Sequence, residues 1–411
     1  MIQGKEIICF ANDWDGEPLS KKHIMRRLAR RNRILWVDSI GNRSPKMNRR
    51  DMTRLFKKIR AFLRGARQAE ENLYVFSPVM IPFYRSNWLR KINRAILAWM
   101  LRRQIRALGF SSPITWTFAP SSADVVGRLG ERKVIYHCVD EFSAFSDAPR
   151  TAIQQMEETL LQKADLVIVS AATLLESKRK RHPNVHLVRH GVDYDHFKKA
   201  LDPETPLPSD VASLPRPIIG FHGLIADWVD LCLIRKMALA HPEWSIVLLG
   251  GALSDLSQIE GLKNVHRLGK RPYEALPAYC KSFDVAILPF VVNTLTRFAN
   301  PLKLREYLAA GLPVVATDLP EVRSLKGEIR IGFGHADFIE QVVDLLKSGK
   351  TGPSPERSIM MEKESWDEKV ETLSALVEAV LAPAPEVSLR LGAEPGGARR
   401  SAFGESDRAG C

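Results

Sequence analysis

The chain has 411 residues, which is too many for a single hydrophobic core, so two domains of ordinary size are expected. Apolar residues make up 45% of it and charged residues 26%, proportions typical of a globular protein. The five cysteines show no CxxC spacing, which argues against a zinc site and a disulfide framework. The chain starts without a signal-peptide pattern, and no apolar run approaches the roughly 18 residues of a membrane span, so a cytoplasmic protein is expected.

The net charge of +13 is unevenly distributed. The first 200 residues hold 37 lysines and arginines against 19 acidic residues, whereas the remainder holds 23 against 28. Segments 46–67 and 85–106 combine many basic residues with apolar residues at helical spacing. Such helices lie in the interface of anionic membranes, so we expect docking on the inner face of the cytoplasmic membrane. The alternative is a solvated basic face. Nucleic acid is not favoured, because no recognition module is present.

Short apolar runs alternate with helical patterns along the chain. The runs that predict buried parallel strands are 6–10, 33–39, 114–118, 133–141, 165–170, 217–223, 245–251, 264–269, 284–290 and 313–317. Helices are predicted at 20–31, 148–163, 276–283 and, as one long terminal helix, 358–381. This alternation predicts an α/β protein of two doubly wound, Rossmann-like domains with a cleft between them. The expected limits are a first domain at 1–198, a linker at 199–215, a second domain at 216–381 and a disordered tail at 382–411.

One stretch after a predicted strand has the features of an anion site. The strand at 284–290 is followed by a polar loop and by a helix that begins near Pro301. Lys303 and Glu306 are three residues apart and share one face of this helix. Ligands of open α/β sheets bind at the carboxyl ends of strands, and the free N–H groups of a helix start favour anions. The spacing fits equally well a helix capped by Asn300 with an ordinary ion pair.

Three sequence elements carry a family resemblance: HGVDYDHF before the linker, LGKRPYEALPAYCKSFDVAILPF, and NPLKLREYLAAGLPVVATD. With two doubly wound domains, they resemble a GT-B-fold nucleotide-sugar glycosyltransferase of the group 1 type. More narrowly, the chain is similar to the bacterial branch that builds exopolysaccharide, teichuronic acid and lipopolysaccharide, over about residues 5–381. The resemblance implies a hexosyltransferase-type enzyme with a nucleotide diphosphate sugar as co-substrate. It implies no cofactor and no metal.

The resemblance also implies a donor site in the second domain. Glu306 matches the glutamate that hydrogen-bonds the ribose hydroxyls, and Lys303 lies where the pyrophosphate or sugar is held. Gly223 matches the glycine that lets the backbone approach the diphosphate. The nucleobase pocket and the rest of the donor site are implied at Arg271, Pro272, Tyr273, Asn300, Pro301 and Leu302.

The sequence departs from the family pattern at three positions. Phe298 stands where the commonest pattern has a further glutamate, and Leu224 and Val229 stand where it has Arg and Lys. A leaving diphosphate still needs positive charge or N–H donors. We therefore expect this charge to come from Lys303, His222 and Arg297.

An inverting transfer needs a general base near the acceptor hydroxyl. Asp140, at the carboxyl end of a predicted strand, is the first candidate, with His137 close by. His190, which precedes a glycine at the domain junction, is another candidate for the catalytic site. Asp13 and Asp15 are alternatives, and any of these groups could instead be a loop cap or a hinge residue. DWD at 13–15 and DYD at 193–195 match a DxD metal motif, but the motif is short, and we interpret both as loop acids.

The sequence therefore predicts a peripheral membrane glycosyltransferase. The basic first half is expected to meet a lipid-linked or polysaccharide acceptor, and the second half to hold the nucleotide sugar. Two alternatives stay open: a nucleotide-sugar epimerase of the same fold, and a non-catalytic polysaccharide-assembly subunit with a relic donor site. The basic segments argue against the epimerase, and the retained Lys303 and Glu306 argue against the relic site.

Overall fold

The structure is a computed structural model and describes residues 1–39, 65–78, 87–146 and 148–382. Most of the basic segment predicted at 46–67 and nearly all of the tail predicted at 382–411 lie outside the described residues. The second basic segment is confirmed as a helix, Asn87–Ala107. None of the helices in the described ranges is both long and apolar enough to cross a bilayer.

The first half forms one eight-stranded sheet. Its strands are β1 (Glu6–Phe10), β2 (Arg33–Val37), β3 (Arg67–Glu70), β4 (Leu73–Phe76), β5 (Ile114–Thr117), β6 (Lys133–Cys138), β7 (Leu166–Val169) and β8 (Val185–Leu187). They lie in the order β3-β4-β2-β1-β5-β6-β7-β8. Among these described strands, the β3–β4 pair is antiparallel and the other pairs are parallel. The helices are α1 (Ser20–Ala29), α2 (Asn87–Ala107), α3 (Arg150–Lys163) and α4 (Ala172–Arg179).

The second half forms a six-stranded, fully parallel sheet. Its strands are β9 (Ile218–His222), β10 (Ser245–Leu249), β11 (Val265–Gly269), β12 (Val285–Leu288), β13 (Val314–Thr317) and β14 (Arg330–Gly332), in the order β11-β10-β9-β12-β13-β14. The helices that follow α4 in the chain are α5 (Tyr194–Phe197), α6 (Ser209–Ala212), α7 (Leu231–Ala240), α8 (Leu276–Ser282), α9 (Thr294–Phe298), α10 (Leu302–Ala309), α11 (Pro320–Arg323), α12 (His335–Lys347) and α13 (Pro355–Ile359). The direction of winding reverses between β9 and β12, so the loops after these two strands meet at a topological switch point, where such sheets bind ligands.

The central strands are apolar runs buried on both faces, as expected for parallel strands covered by helices. The predicted α/β class with two parallel-sheet domains is confirmed. The hairpin of β3 and β4 was not predicted, because β3 is short and polar. The single helix predicted at 358–381 is wrong, since α13 ends at Ile359 and a last helix, α14 (Trp366–Leu381), begins seven residues later.

The last helix packs on the first sheet. Trp366, Val370, Leu373 and Val377 recur at helical spacing and are buried in the core that β1, β5 and β6 share with α1. The predicted second domain at 216–381 is therefore corrected at this end, because α14 supplies core residues to the first domain. The predicted linker at 199–215 is also packed, with Ala200 and Val211 buried in the core of the second domain.

Over the residues that the structure describes, the chain crosses between the two sheets twice, and the crossings lie side by side. The amide of Val192 donates to the carbonyl of Glu364 at 3.0 Å, and the amide of Trp366 donates to the carbonyl of Val192 at 3.0 Å. Val192 belongs to the core of the second domain, whereas Trp366 belongs to that of the first. The joint between the domains is thus a short pair of hydrogen-bonded segments.

Candidate functional site

A glycine marks the end of β9 at the switch point. Gly223 has a φ of +147°, which other residues rarely adopt. A Cβ placed there would lie 3.1 Å from Cε of Lys303, so the lysine side chain passes directly over the glycine. The neighbouring Gly250 is equally constrained, because its Cβ would lie 1.9 Å from the carbonyl oxygen of Gly223. The loop after β9 therefore presents bare backbone next to a lysine ammonium.

Glu306 of α10 is buried and has an oxygen without a partner. The residue is 9% exposed, and its Oε2 accepts no hydrogen bond from the protein. The ammonium of Lys303 lies 3.9 Å from this oxygen. Burial raises the pKa of the Glu306 carboxyl, and the charge of Lys303 opposes that shift. A buried, unsatisfied acceptor is costly in the free protein, and this oxygen is available to accept a hydrogen bond.

His222, at the end of β9, faces the same point. Its Nε2 is 3.8 Å from Oε2 of Glu306 and is likewise buried without a hydrogen-bond partner. Burial, assisted by the charge of Lys303, lowers the pKa of His222 well below its ordinary value. The imidazole is therefore neutral, and it cannot add the positive charge expected of it. Its position is fixed by Tyr307, whose hydroxyl accepts from the His222 amide at 2.8 Å.

The predicted nucleobase loop has its side chains engaged within the protein. Arg271 donates to the Tyr279 hydroxyl at 2.8 Å and pairs with Asp210 at 2.9 Å. The ring of Tyr273 stacks on that of His196, with centroids 4.4 Å apart, while its hydroxyl is buried without a partner. Pro272 lies exposed between them. Of the three residues, only Tyr273 therefore has a buried polar side-chain atom without a hydrogen-bond partner.

The loop before α10 joins the two domains. The Asn300 amide nitrogen donates to the carbonyl of Ser170 at 2.6 Å, and its oxygen accepts from Arg305 at 2.7 Å. The helix begins at Leu302 after Pro301, so the alternative in which the Asn300 side chain caps it is wrong. Leu302 packs against the core of the first domain. The side chain of Asn300 is thus used in the contact between domains rather than being free for a donor.

Phe298 explains one departure from the family pattern. It stands where an acid is usual, and it packs against the core of the first domain. Arg297, its neighbour, offers its carbonyl to the Thr173 hydroxyl at 3.1 Å. An apolar side chain at this position therefore fits a contact between the domains.

In the first domain, Asp140 follows β6 and interacts electrostatically with Lys21, a residue that sequence reasoning missed. Burial raises the pKa of Asp140 to about 6, and the charge of Lys21 opposes the shift. Lys21, on α1, has its ammonium 5.9 Å from the ring centre of Phe118 and 5.8 Å from that of Phe142. Burial lowers the pKa of the Lys21 ammonium, and the charge of Asp140 offsets part of that shift. A carboxyl that titrates close to neutral pH suits a general base.

The two histidines of the predicted catalytic set lie near this pair. His137 is buried and stacks on Phe118, and burial lowers its pKa to about 3. Burial also lowers the pKa of His190 well below the ordinary value, with further contributions from the charges of Arg305 and His137. Asp140, His137 and His190 therefore all lie within electrostatic range of Lys21, at the carboxyl ends of β6 and β8. Both imidazoles are neutral and weakly basic, so Asp140 is the better base.

The acids of the two DxD sequences each have protein partners. Asp15 pairs with Arg67 at 2.7 Å, and Asp13 accepts from the Ser39 hydroxyl at 2.6 Å. Asp193 lies 3.8 Å from Arg27, and Asp195 pairs with Lys198. Within the described ranges, no group of three or more His, Cys, Asp or Glu side chains is arranged to hold a metal ion. These contacts fit the interpretation of both motifs as loop acids.

Residues 216–348 match the family model described as glycosyl transferases, group 1. The family model thus spans most of the second domain. The matched region includes Gly223, His222, Lys303 and Glu306. The chain is also 30% identical over 210 residues to TuaH of Bacillus subtilis (strain 168), whose name assigns it to teichuronic acid biosynthesis as a glycosyltransferase. That alignment covers 47% of this chain and 52% of TuaH, so the chain matches about half the length of this relative.

Solved structures share the fold over nearly the whole chain. Sucrose-phosphate synthase from Thermosynechococcus elongatus is similar with a TM-score of 0.67 at 14% identity, covering 92% of this chain and 99% of that one. Anabaena HepE, solved in complex with UDP-glucose, is similar with a TM-score of 0.63 at 13% identity, covering 91% and 99%. The two domains thus form a GT-B fold, as the sequence predicted.

Sequence reasoning missed Lys21, Tyr307 and Glu321. Glu321 is the second residue of α11 and is 2% exposed. It accepts from the Ala172 amide at 2.6 Å and from Arg189 at 2.8 Å. It follows the strand β13 by only a few residues, so its place at a carboxyl strand end was an available signal. The hydroxyl of Tyr307 and the position of Lys21 depend on distant contacts that no local pattern reveals.

Proposed function

We propose that this protein transfers a sugar from a nucleoside diphosphate donor to a lipid-linked or polysaccharide acceptor in bacterial surface-glycan synthesis. One observation carries the proposal: the buried Glu306 carboxylate, with an unpartnered oxygen, lies beside Lys303 and the bare backbone of Gly223. A ribose hydroxyl would satisfy that oxygen. The name of TuaH supports the surface-glycan role.

The proposed reaction divides the work between the domains. The second domain binds the donor. Lys303 and the free N–H groups at the start of α10 neutralise the leaving diphosphate. Asp140 of the first domain takes the proton of the attacking acceptor hydroxyl as the new glycosidic bond forms and the bond to the diphosphate breaks. We propose that this chemistry uses neither a cofactor nor a metal.

A nucleotide screen tests the proposal. Thermal shift is measured with UDP-, GDP-, dTDP- and ADP-sugars, and products are identified by mass spectrometry and NMR with and without added lipid or glycan acceptors. We expect stabilisation by one class of nucleotide, sugar transfer to an acceptor, and loss of both with Glu306→Ala. Epimerised sugar without transfer would identify the alternative enzyme. Unchanged affinity of Glu306→Ala for every donor would contradict the site.

We also propose that the first domain docks on an anionic lipid bilayer from the inner, cytoplasmic side. The exposed side of α2 bears Trp99, which is 59% exposed, and Ile96, which is 38% exposed. A recess beside Trp99 is lined by five arginines: Arg94, Arg102, Arg103, Arg106 and Arg128. Each basic residue near an anionic surface contributes about 1 kcal/mol, so five can contribute about 5 kcal/mol at low salt.

Vesicle sedimentation tests the docking. We expect the protein to bind vesicles that contain phosphatidylglycerol, to leave phosphatidylcholine vesicles unbound, and to lose binding at high salt. Arg102→Glu with Arg103→Glu should abolish binding. The matched control is Lys347→Glu with Lys350→Glu, the same charge change at exposed positions of the second domain. Equal binding of both variants would contradict docking through α2.

A further inference from the structure

A buried ion-pair network lies beneath the loop that follows β6. Lys178 of α4 has a side chain only 1% exposed, and its ammonium is 2.8 Å from Oε2 of Glu157 and 3.1 Å from Oε2 of Glu141. The other oxygen of Glu157 accepts from the Tyr136 hydroxyl at 2.8 Å. Buried ion pairs are often no more stabilising than well-packed apolar residues, so this network needs an explanation other than stability.

One end of the network holds the backbone beside the proposed base. Glu141 follows Asp140 directly in the chain. One of its oxygens contacts Lys178, and the other accepts from the Ser143 hydroxyl at 2.7 Å. Both oxygens of Glu141 are thus engaged, which fixes the backbone at Glu141 and, with it, the position of the adjacent Asp140.

The other end of α4 is held by the second domain. Oε1 of Glu321 accepts from the amide of Ala172, the first residue of α4, at 2.6 Å. The Thr173 hydroxyl donates to the carbonyl of Arg297 at 3.1 Å. Just before the helix, the carbonyl of Ser170 accepts from Asn300 at 2.6 Å. Three segments of the second domain therefore contact the start of α4.

We propose that α4 couples the seating of the second domain to the placement of Asp140, with Lys178 as a positioning residue. A helix of eight residues is a stiff rod of about 12 Å, so a shift of its start displaces Lys178 at its far end. The base is then in place only when the donor-binding domain is seated against α4. This arrangement protects a bound donor from premature hydrolysis. The inference rests on the proposed function for the role of Asp140.

Hydrogen–deuterium exchange of the full-length protein tests the coupling without any ligand. Glu321→Gln, in the second domain, is expected to raise exchange at least fivefold in the peptide that covers residues 139–146. The control is Glu17→Gln, which removes the exposed ion pair with Lys270 at 2.6 Å, another contact between the domains that does not involve α4. It should leave that peptide unchanged.

A second variant separates coupling from simple loosening. The direct variant, Lys178→Met, would remove the partner of two buried carboxylates and so endangers the fold. Glu141→Gln is used instead, because it is nearly isosteric and leaves the contact between Lys178 and Glu157 intact. Because both changes act through one path, exchange at 139–146 in the double variant with Glu321→Gln should not exceed that of Glu141→Gln alone. Independent, additive increases overturn the proposal. So does raised exchange at 170–175 with no change at 139–146.

Kinetics distinguish this proposal from the proposed function. The probes are UDP-glucose and the other nucleotide sugars of the screen. Glu141→Gln should lower kcat for nucleotide release about tenfold without changing KM for the nucleotide sugar. It should also shift the acidic limb of the pH profile. If Asp140→Asn keeps the wild-type rate, the proposed base is wrong, whereas the exchange result still decides the coupling.

Discussion

Replacing Glu306 by glutamine should stabilise the free protein and weaken donor binding. Glutamine has the size of glutamate but carries no charge. The variant therefore avoids the cost of burying a carboxylate whose Oε2, 3.8 Å from Nε2 of His222 and 3.9 Å from the Lys303 ammonium, accepts no hydrogen bond. The change lowers affinity for a nucleoside diphosphate because a hydrogen bond to a charged acceptor contributes about 1.5–3 kcal/mol. That loss corresponds to a dissociation constant about 12 to 140 times larger.

The pH dependence of stability determines at which pH the Glu306→Gln variant should be more stable than the wild type. Burial raises the pKa of the Glu306 carboxyl above the ordinary 4.5, so the folded protein binds that proton more tightly than the unfolded chain does. The wild type therefore has the full contribution of this group below pH 4.5 and loses stability as pH rises through the folded pKa. The variant lacks this loss. We expect its Tm to equal that of the wild type in acid and to exceed it at neutral pH.

Two measurements check the prediction. Differential scanning fluorimetry from pH 4 to 8 gives the Tm of each protein, and isothermal titration calorimetry with UDP, GDP and ADP gives affinity. Glu260→Gln is the control, since Glu260 is an exposed glutamate of the same domain and should change neither quantity. A lower Tm together with unchanged nucleotide affinity would refute the assignment of Glu306 as a ligand-binding carboxylate.

Three further predictions address other parts of the molecule. Asp140→Asn should reduce transfer by about 10²- to 10⁴-fold with donor affinity intact, and wild-type transfer should fall below about pH 6 as Asp140 gains a proton, as a pH–rate profile will show. Gly223→Ala should weaken nucleotide binding in calorimetry, because φ is +147° and the new methyl group would lie 3.1 Å from Lys303. Leu373→Ala should lower the free energy of unfolding in urea by about 2–5 kcal/mol, because Leu373 of α14 is 1% exposed.

Most of the fold could be predicted because buried parallel strands leave a strong local signal. β1 was predicted with its observed limits, and the other core strands were placed to within a few residues. The helix that carries Lys303 and Glu306 was also predicted, from a proline at its start and a glycine after its end. Local chemistry determines these features, so one sequence is enough to recognise them.

The contacts between domains could not be predicted, because they join residues that are far apart in the chain. The bond from Asn300 to Ser170 spans 130 residues, and that from Glu321 to Ala172 spans 149. Periodicity indicates that α14 has an apolar face, yet it does not say which sheet covers that face. Likewise, nothing local to Glu306 shows that His222 lies beside it, because a strand and a helix from different parts of the fold bring the two together.

The paired crossing at Val192 and Ser365 restricts how the two domains can move. A single connecting segment allows the domains to rotate about every axis. Two segments hydrogen-bonded side by side instead allow rotation about one axis and resist twisting. Opening of the cleft should then follow one repeatable arc. A donor bound on one domain would meet the same acceptor-facing groups on every closure, without a search over orientations.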